Sequence, residues 1–431
     1  MTETIVNPKY RMTISRLTVD KLGVKLYDRV SAVLAELIAN SYDADATQVI
    51  VEAPMGQYLA TKAGGQIVDR DYQIVVRDNG SGIHPAHVNE FYLKVGGERR
   101  IDPLRGSLSQ FYRRKVMGRK GVGKLAPFGI CSVIEVISAG GSPNTGMDDT
   151  GSEAFGYTVS HFVLNRFAIL SDVDEPYYPT IGPLDGKVRD NPGTTIILRQ
   201  FAQRVVPHIN DLGRQLAQRF GISSSTWLIS LSDNQKATSE VDHSLTVGSF
   251  ALERMPQTVL RFSDDGIVYD ADNNARSDLV PHFEVDGVSY SVTGWAGYSE
   301  RPYRDTLMAG IRIYCNGKIA AQTDVFNLRA GFTGEHDIRS YLIGELHANW
   351  LDETEDLIQT DRRDILWSHE IGQGFEIWGQ ALIRAIGRLT RKPMQKRAWD
   401  VFREVSDLES HIMQAFPSQD QDRKGDARHR G

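Results

Sequence analysis

Residues 35–44 of this chain read Ala-Glu-Leu-Ile-Ala-Asn-Ser-Tyr-Asp-Ala, and the pattern predicts a helix with two unlike faces. Glu36 and Asn40 are four residues apart, so their side chains lie on one face about one turn from each other. Apolar residues at helical spacing occupy the opposite face, which is typical of a buried stripe. These residues are Val30, Val33, Leu34, Leu37 and Ile38. We therefore expect a carboxylate and a carboxamide to line a cavity built on a packed helix.

Two further stretches fit with this helix. Residues 78–82 read Asp-Asn-Gly-Ser-Gly and follow the alternating run 72–77, which predicts a strand that ends in a glycine turn. Residues 118–124 read Gly-Arg-Lys-Gly-Val-Gly-Lys, a glycine-rich loop whose backbone N–H groups can approach phosphates. Each stretch alone is more often structural, as a solvated helix face, an ordinary turn or a loop. In this order, the three together predict an ATP site.

The order and spacing of these stretches resemble the N box, G1 box and G2 box of the GHKL ATPases. This superfamily includes gyrase B subunits, MutL, the heat-shock-ninety chaperones, MORC proteins and histidine kinases. Gly193-Thr194 resembles the family's later Gly-Thr element, so the resemblance covers about the first 200 residues. It implies an α/β fold, the GHKL (Bergerat) two-layer α/β sandwich, followed by a transducer-like α/β domain.

The resemblance also implies roles for single residues and names ATP and Mg²⁺ as cofactors. Glu36 would activate the attacking water, Asn40 would bind Mg²⁺, and Asp78 would accept the adenine amino group. Thr194 would support adenine binding. For Asp43 and Lys124 a purely structural role is the alternative. The other residues that the resemblance places against nucleotide are Gly80, Gly82, Gly118, Lys120, Gly121, Val122, Gly123 and Leu125.

The chemistry of ATP hydrolysis suits these residue types. A carboxylate within hydrogen-bond reach of water can orient it and take its proton, which is the role expected of Glu36. Magnesium prefers oxygen ligands and often uses few protein groups beside substrate phosphates and waters, so the oxygen of Asn40 suffices. Backbone amides of residues 120–125 and the Lys124 ammonium can stabilise charge on the transferred phosphoryl group. Histidine kinases usually lack the glutamate, so Glu36 favours the hydrolysing branch.

Composition limits the remaining possibilities. The chain has 431 residues with 41% hydrophobic content, enough for two or three domains. Cys131 and Cys315 are the two cysteines and cannot form a disulfide framework, so a reducing compartment is expected. The eleven histidines show no zinc-ligand spacing. No apolar stretch is long enough for a signal peptide or a membrane span, and we expect a cytoplasmic protein with no membrane partner.

The pattern shifts along the chain predict three regions. Residues 1–200 form the ATPase domain, with a highly charged lid at about 94–118. Residues 201–385 form the transducer-like domain, in which Asn316-Gly317 signals a hairpin turn. Residues 386–431 form a C-terminal helix and a disordered tail. The helical pattern spans 369–405 and is expected to be interrupted near Pro393.

A phosphate contact from the second domain is a further expectation, with an alternative beside it. In related families a lysine of a Gln-Thr-Lys-like loop reaches the terminal phosphate. Here residues 359–363 read Gln-Thr-Asp-Arg-Arg, and aspartate replaces that lysine. Arg362 is the candidate, with Arg363 beside it, and a locally salt-bridged polar turn is the alternative.

The sequence predicts an ATP-gated dimerisation switch with two candidate outputs. The overall resemblance is to prokaryotic MORC-like or heat-shock-ninety-like ATPases, which often serve in DNA management or antiphage defence. One output is a homodimeric clamp on DNA, and the other is a chaperone-like or scaffolding ATPase acting on a protein partner or companion effector. Net charge of −6 argues against indiscriminate DNA coating, but a local basic stripe escapes that argument. The candidates for such a stripe are Arg384, Arg388, Arg391, Lys392, Lys396, Arg397 and Arg403, and an ordinary solvated helix face is the alternative.

Overall fold

The structure of the chain is a computed structural model. It describes residues 28–97, 99, 102, 105–118, 121, 123–170, 176–220, 227–240, 243–248, 252–303, 309–328, 339–353, 355–359 and 364–406, with side chains to 388. Lys120, Val122 and Arg362, together with the predicted tail, lie outside the described residues. Predictions that concern them stay predictions.

The first elements follow the sequence pattern closely. Helix α1 spans Val30–Asp43 and is followed by strands β1 (Gln48–Ala53), β2 (Ala60–Ala63), β3 (Gln66–Asp69) and β4 (Ile74–Asp78). Short helical turns follow at Pro85–His87, Val88–Leu93 and Gly123–Gly129. The next elements are β5 (Cys131–Ala139), β6 (Asn144–Met147), β7 (Glu153–Asn165), α2 (Arg166–Leu170), β8 (Thr180–Ile181), β9 (Val188–Arg189), β10 (Gly193–Phe201), α3 (Ile209–Arg219), β11 (Leu228–Asp233) and β12 (Ser244–Thr246).

Within the described residues, ten strands form the main sheet. Its path is β12-β11-β1-β4-β10-β5-β7-β6, and β8 and β9 also pair with β7. Strand β11 runs parallel to β1, while the other pairings are antiparallel. The apolar face of α1 packs on a core that includes Val49, Val76 and Ile196 of the sheet. The predicted α/β sandwich is confirmed.

The sheet register aligns three residues that are distant in sequence. Thr194 of β10 lies opposite Asp78 of β4 on one side and opposite Ser138 of β5 on the other. Backbone pairing therefore brings a carboxylate and two hydroxyl side chains into one row. This row lies where β4 ends and the glycine turn begins.

The second half of the chain contains a further set of strands and one long helix. The strands are β13 (Leu260–Phe262), β14 (Val268–Tyr269), β15 (Ala275–Arg276), β16 (His282–Val285), β17 (Val288–Ser291), β18 (Thr293–Tyr298), β19 (Gly310–Cys315), β20 (Lys318–Thr323) and β21 (Leu342–His347). Short helical turns occur at Pro256–Thr258 and Asn349–Asp352, and helix α4 spans Glu370–Ser406. Strands β15, β14, β13, β18 and β21 are neighbours in that order, while β16 pairs with β17.

The chain divides into two compact units. The first comprises Met1–Ala251, Arg312–Gln322 and His347–Leu366, and the second comprises Leu252–Ile311, Thr323–Leu346 and Trp367–Gly431. The main sheet extends past the predicted boundary at residue 200 because β11 pairs with β1. In the second unit, Phe326, Phe375 and Trp378 form an aromatic cluster. The predicted domain division stays a prediction.

The hairpin prediction at Asn316-Gly317 is confirmed, and the predicted interruption of the C-terminal helix is wrong. Strands β19 and β20 flank the turn, and both turn residues have positive φ, 51° for Asn316 and 78° for Gly317. Helix α4 runs without a break through Pro393. A proline removes one backbone hydrogen bond, and in a helix of 37 residues the bonds of the other turns remain available.

None of the helices in the described residues is long and apolar enough to cross a membrane.

Both cysteines are buried free thiols. Burial raises the pKa of Cys131, which therefore stays protonated and unreactive.

Candidate active site

Helix α1 buries its apolar face and directs Glu36 and Asn40 toward a cavity of about 850 Å³. The Glu36 side chain is 16% exposed, and Asn40 is exposed. The cavity is also lined by Asp78, Thr194 and the glycine-rich loop. The structure therefore brings together residues that the sequence separates by more than 150 positions.

Asp78 lies at the end of β4 and is held by three hydrogen bonds. Its Oδ1 accepts from the backbone N–H of Gly80 at 2.9 Å and of Thr194 at 3.2 Å, and its Oδ2 accepts from the Ser41 hydroxyl at 2.8 Å. Burial raises the pKa of Asp78, and these hydrogen bonds oppose that rise. A carboxylate accepts about four hydrogen bonds. In the described part of the chain, Asp78 thus retains one acceptor position for a donor such as an exocyclic amino group.

Thr194 is connected to the turn after β4 through Ser138. The Thr194 and Ser138 hydroxyl oxygens are 2.8 Å apart, and Ser138 Oγ accepts from the backbone N–H of Ile83 at 2.9 Å. Ser138 is fully buried. The sequence analysis did not single out Ser138, although a serine within the apolar run 133–138 was a signal that could have found it.

Close contacts with neighbouring backbone require glycine at Gly80 and Gly82. Gly82 has φ of 62°, and a Cβ there would lie 1.8 Å from the carbonyl oxygen of Ala139. A Cβ on Gly80 would lie 2.7 Å from the carbonyl oxygen of Ala44. Gly82 lines the cavity, whereas Gly80 is buried behind it and donates to Asp78. Their contact with nucleotide stays a prediction.

The glycine-rich loop brings its backbone to the cavity. Gly118, Gly121 and Gly123 line the cavity, while Leu125 is buried behind it. A Cβ on Gly123 would lie 2.8 Å from Glu36 Oε2. The backbone at Gly123 therefore runs directly past the carboxylate. This arrangement suits a ligand whose phosphates contact the loop and whose reacting bond lies near Glu36.

Lys124 lines the cavity in surroundings that disfavour its charged form. Its ammonium donates to the carbonyl oxygens of Phe91, at 3.3 Å, and Lys94. Burial and the nearby Arg105 lower the pKa of Lys124 to about 8. A phosphate beside it would favour the protonated form of Lys124.

Asp43 connects helix α1 to the end of the lid. Its carboxylate accepts from the backbone N–H of Met117 at 2.7 Å and of Gly118 at 2.9 Å, and it lies 3.7 Å from the Arg99 guanidinium. Burial raises the pKa of Asp43, and Arg99 and the two N–H groups oppose that rise. These contacts give Asp43 a structural function in the lid, while its contact with nucleotide stays a prediction.

Asp45 and Arg114 add a second connection, which the sequence analysis missed. Asp45 accepts from the backbone N–H of Phe111 at 2.7 Å and of Tyr112 at 3.2 Å. Arg114 donates to the carbonyl oxygen of Ala46 at 2.6 Å. The lid segment 105–118 is therefore fastened to the end of α1 at several points. The carboxylates that hold it are Asp43, the last residue of α1, and Asp45, two residues further on.

The structure adds Lys318 to the predicted site. It follows the Asn316-Gly317 turn, is buried, and places its ammonium 2.7 Å from Glu36 Oε1. The sequence analysis used this turn as a hairpin signal but gave no role to the lysine after it. Gln359, which begins the candidate phosphate-contact loop, also lines the cavity.

The residues present fit the magnesium chemistry of ATP rather than a protein-only metal site. Among the described residues, no cluster of three or more His, Cys, Asp or Glu side chains could hold a metal ion. Asn40 offers one exposed amide oxygen at the cavity. A single protein ligand is adequate where substrate phosphates and water complete the octahedron.

Replacing Asp78 by asparagine tests the predicted contact with adenine. Asp78→Asn replaces one acceptor oxygen by an NH₂ group. This NH₂ group is a donor and cannot accept the hydrogen bonds that Asp78 accepts. We expect ATP affinity to fall about 10-fold or more, in line with loss of a hydrogen bond to a charged group, and preference for ATP over GTP to weaken. Isothermal titration with both nucleotides measures this. Because burial raises the pKa of Asp78, wild-type affinity should also fall as the pH falls.

The matched control is Asp264→Asn, an exposed aspartate in the second unit. It should bind ATP and GTP as the wild type does. Unchanged affinity and selectivity in Asp78→Asn would show that Asp78 does not recognise adenine.

Two comparisons with known proteins agree with this geometry. Residues 27–151 match the family described as "Histidine kinase-, DNA gyrase B-, and HSP90-like ATPase". A relative from Herpetosiphon aurantiacus, described as "Putative type II restriction enzyme HgiDII", is 28% identical over 365 residues. The similarity covers 83% of this chain and 52% of that relative, so the chain spans about half the length of the relative. The family match includes α1, Asp78 and the glycine-rich loop, so residues 27–151 are similar to a GHKL-type ATPase domain.

Proposed function

We propose that this protein binds and hydrolyses Mg-ATP and uses the nucleotide to close a homodimeric clamp on DNA. The observation that carries the proposal is the convergence of Glu36, Asn40, Asp78 and the glycine-rich loop on one cavity. ATP binding would hold the dimer, and hydrolysis would release it. The activity is that of a switch, in which ADP and phosphate are the products and the change of state is the output.

Glu36 is the general base of the proposed reaction. Its carboxylate would take a proton from water as the water oxygen attacks the terminal phosphorus. The bond from that phosphorus to the bridging oxygen then breaks, and ADP leaves. The backbone of the glycine-rich loop beside Glu36 Oε2 would stabilise the charge on the phosphoryl oxygens.

Asn40 would hold the magnesium ion through its amide oxygen, one turn from Glu36 on α1. Magnesium bound with ATP neutralises phosphate charge and orients the terminal phosphoryl group. Asp78 would bind the adenine at the other part of the cavity, with Thr194 and Gly82 beside it. Arg362 stays the predicted phosphate contact from the segment after Gln359.

The lid supports a switch because it is connected to the same helix that carries the proposed base. Asp43 and Asp45 fasten residues 111–118 to the end of α1. A nucleotide that contacts Gly118 and α1 would contact both the lid and the helix to which the lid is hydrogen-bonded. Dimerisation on ATP binding follows the behaviour that the family resemblance implies.

DNA as the partner is supported by exposed positive charge and by the relative's described type. Lys94, Arg113 and Lys115 are exposed on the lid, and Arg384 and Arg388 are exposed four residues apart on α4. The relative is described as a restriction enzyme, and this chain spans about half of it. We therefore extend the proposal to antiphage defence, with a MORC-like ATPase acting beside a companion effector such as a nuclease.

The alternative is a chaperone-like or scaffolding ATPase that acts on a protein partner. The match to a family that includes HSP90-like ATPases favours it. The same ATP site serves both outputs, so the partner and not the nucleotide chemistry distinguishes them.

Retention on DNA of two topologies tests the clamp. With a non-hydrolysable ATP analogue, we expect light scattering to show a dimer. We also expect the protein to be retained on closed circular DNA but released from linear DNA, because a clamp slides off free ends. Binding should weaken steeply with salt. Arg384→Ala with Arg388→Ala should lower the slope of log affinity against log salt by about one for each phosphate that is no longer neutralised.

Arg301→Ala is the control, since Arg301 has a side chain that is 80% exposed in the second unit. It should leave the salt slope unchanged. Equal retention on both DNA forms, or absence of retention, would contradict the clamp and favour the protein-directed alternative. Absence of ATP-dependent dimerisation would contradict the switch itself.

A further inference from the structure

Lys318 follows a tight turn that is hydrogen-bonded to a neighbouring segment. The Asn316-Gly317 turn has positive φ at both residues, as a tight two-residue hairpin turn requires. The Asn316 backbone N–H donates to Asn349 Oδ1 at 2.8 Å. Lys318 therefore starts β20 directly after a turn that is hydrogen-bonded to Asn349.

The same hairpin is attached to the end of helix α3. Tyr314 donates its hydroxyl to the carbonyl oxygen of Gln218 at 2.8 Å, and the Gln218 side chain donates to Gln322 at 2.7 Å. Lys318 forms a backbone bridge with Phe220. Both strands of the hairpin thus contact the end of α3 within the first unit, and these contacts hold the Lys318 backbone in place.

The two carboxylate oxygens of Glu36 have different surroundings. Oε1 lies 2.7 Å from the Lys318 ammonium, and Oε2 lies beside the backbone of Gly123. Lys318 is buried, so its charge is weakly screened by solvent. An ion pair at one oxygen fixes the rotation of the carboxylate and leaves the other oxygen facing the glycine-rich loop.

We propose that Lys318 is a positioning residue that orients Glu36 so that Oε2 is the oxygen that accepts the proton of the attacking water. This inference rests on the proposed ATPase function. A base is effective when a third group fixes its orientation, as in catalytic triads. Lys318 acts through Glu36 in this scheme, and its effect on ATP hydrolysis depends on the presence of that carboxylate.

Three other cations that line the cavity have partners of their own. Lys124 donates to backbone carbonyls, Arg99 lies against Asp43, and Arg105 pairs with Asp102. Lys318 differs from these three cations because its ammonium lies 2.7 Å from the proposed base. Its removal should therefore change the orientation of Glu36.

A double-mutant cycle separates this role from others. Lys318→Met should lower kcat about 10-fold or more while KM for ATP stays within about twofold, because ground-state binding is retained. In a Glu36→Ala background, Lys318→Met should cause no further loss, because its target is absent. Lys318→Arg should recover part of kcat, and Lys62→Met, at an exposed lysine of β2, should match the wild type.

Steady-state hydrolysis and ATP and ADP affinities of these variants decide the question. An additive loss in the double variant, or a selective loss of ATP over ADP affinity, would overturn the proposal and indicate that Lys318 acts on the phosphate. Wild-type kcat in Lys318→Met would overturn it as well. Where Lys318→Met fails to fold, Lys318→Arg in both backgrounds gives the same test. Absence of turnover in the wild type would instead contradict the proposed function, and the positioning role with it.

Discussion

The Glu36→Ala variant should bind Mg-ATP and hydrolyse it at least about 100-fold more slowly than the wild type, the loss expected when a general base is removed. Glu36 lies on the face of α1 that lines the cavity, and its Oε2 lies beside the loop that would hold the phosphates. ATP affinity should be nearly unchanged, because adenine and phosphate contacts lie elsewhere. Phosphate release and equilibrium titration measure the two properties separately.

Removing Glu36 also leaves the buried Lys318 ammonium without its carboxylate, which can destabilise the fold. Glu36→Gln is therefore the companion variant, since its amide oxygen can still accept from Lys318 but is a poor base. Glu284→Ala, at an exposed glutamate of β16, is the control and should hydrolyse ATP normally. Near-normal turnover in both Glu36 variants would remove Glu36 from the mechanism.

Gly123→Val should reduce ATP affinity by about 100-fold or more, because bulk at this position prevents close approach of the backbone to phosphate. A Cβ at Gly123 would lie 2.8 Å from Glu36 Oε2, and the two further methyl groups of valine would intrude on the cavity. Gly123→Ala should have a smaller effect, since alanine adds one methyl group where valine adds three carbon atoms. Isothermal titration with ATP and ADP measures both variants.

Gly248→Val provides the matched control. A Cβ on Gly248 meets no atom within 4 Å among the described residues, and its backbone is not in the left-handed region. It should bind ATP as the wild type does. Tight ATP binding by Gly123→Val, with an unchanged melting temperature, would show that the glycine-rich loop does not contact the phosphates.

Local patterns predicted the parts of the fold that depend on nearby residues. Helix α1 formed where apolar residues recur at helical spacing, and it extends from Val30 to Asp43. The alternating run before Asp78 formed β4, and the Asn316-Gly317 turn formed the hairpin. Each of these depends on interactions within a few residues, which is why spacing alone predicted them.

The same reasoning gave a wrong result at Pro393. Proline disfavours a helix interior locally, and the expected interruption followed from that preference. In the structure, α4 continues from Glu370 to Ser406. Its first half is held by packing in the second unit, where Phe375 and Trp378 contact Phe326. Tertiary packing stabilises a helix more than single-residue propensity does.

The sequence by itself determined that the first domain resembles an ATP-binding domain, because the N box, the aspartate after β4 and the glycine loop are each short and local. The tertiary structure alone decided what surrounds them. Ser138 meets Thr194 through sheet register, and Lys318 meets Glu36 across 282 residues of sequence. Contacts of this kind depend on strand order and on the hairpin's attachment to α3, neither of which leaves a local pattern. For that reason the sequence predicted Glu36 as the base, and only the fold placed Lys318 against it.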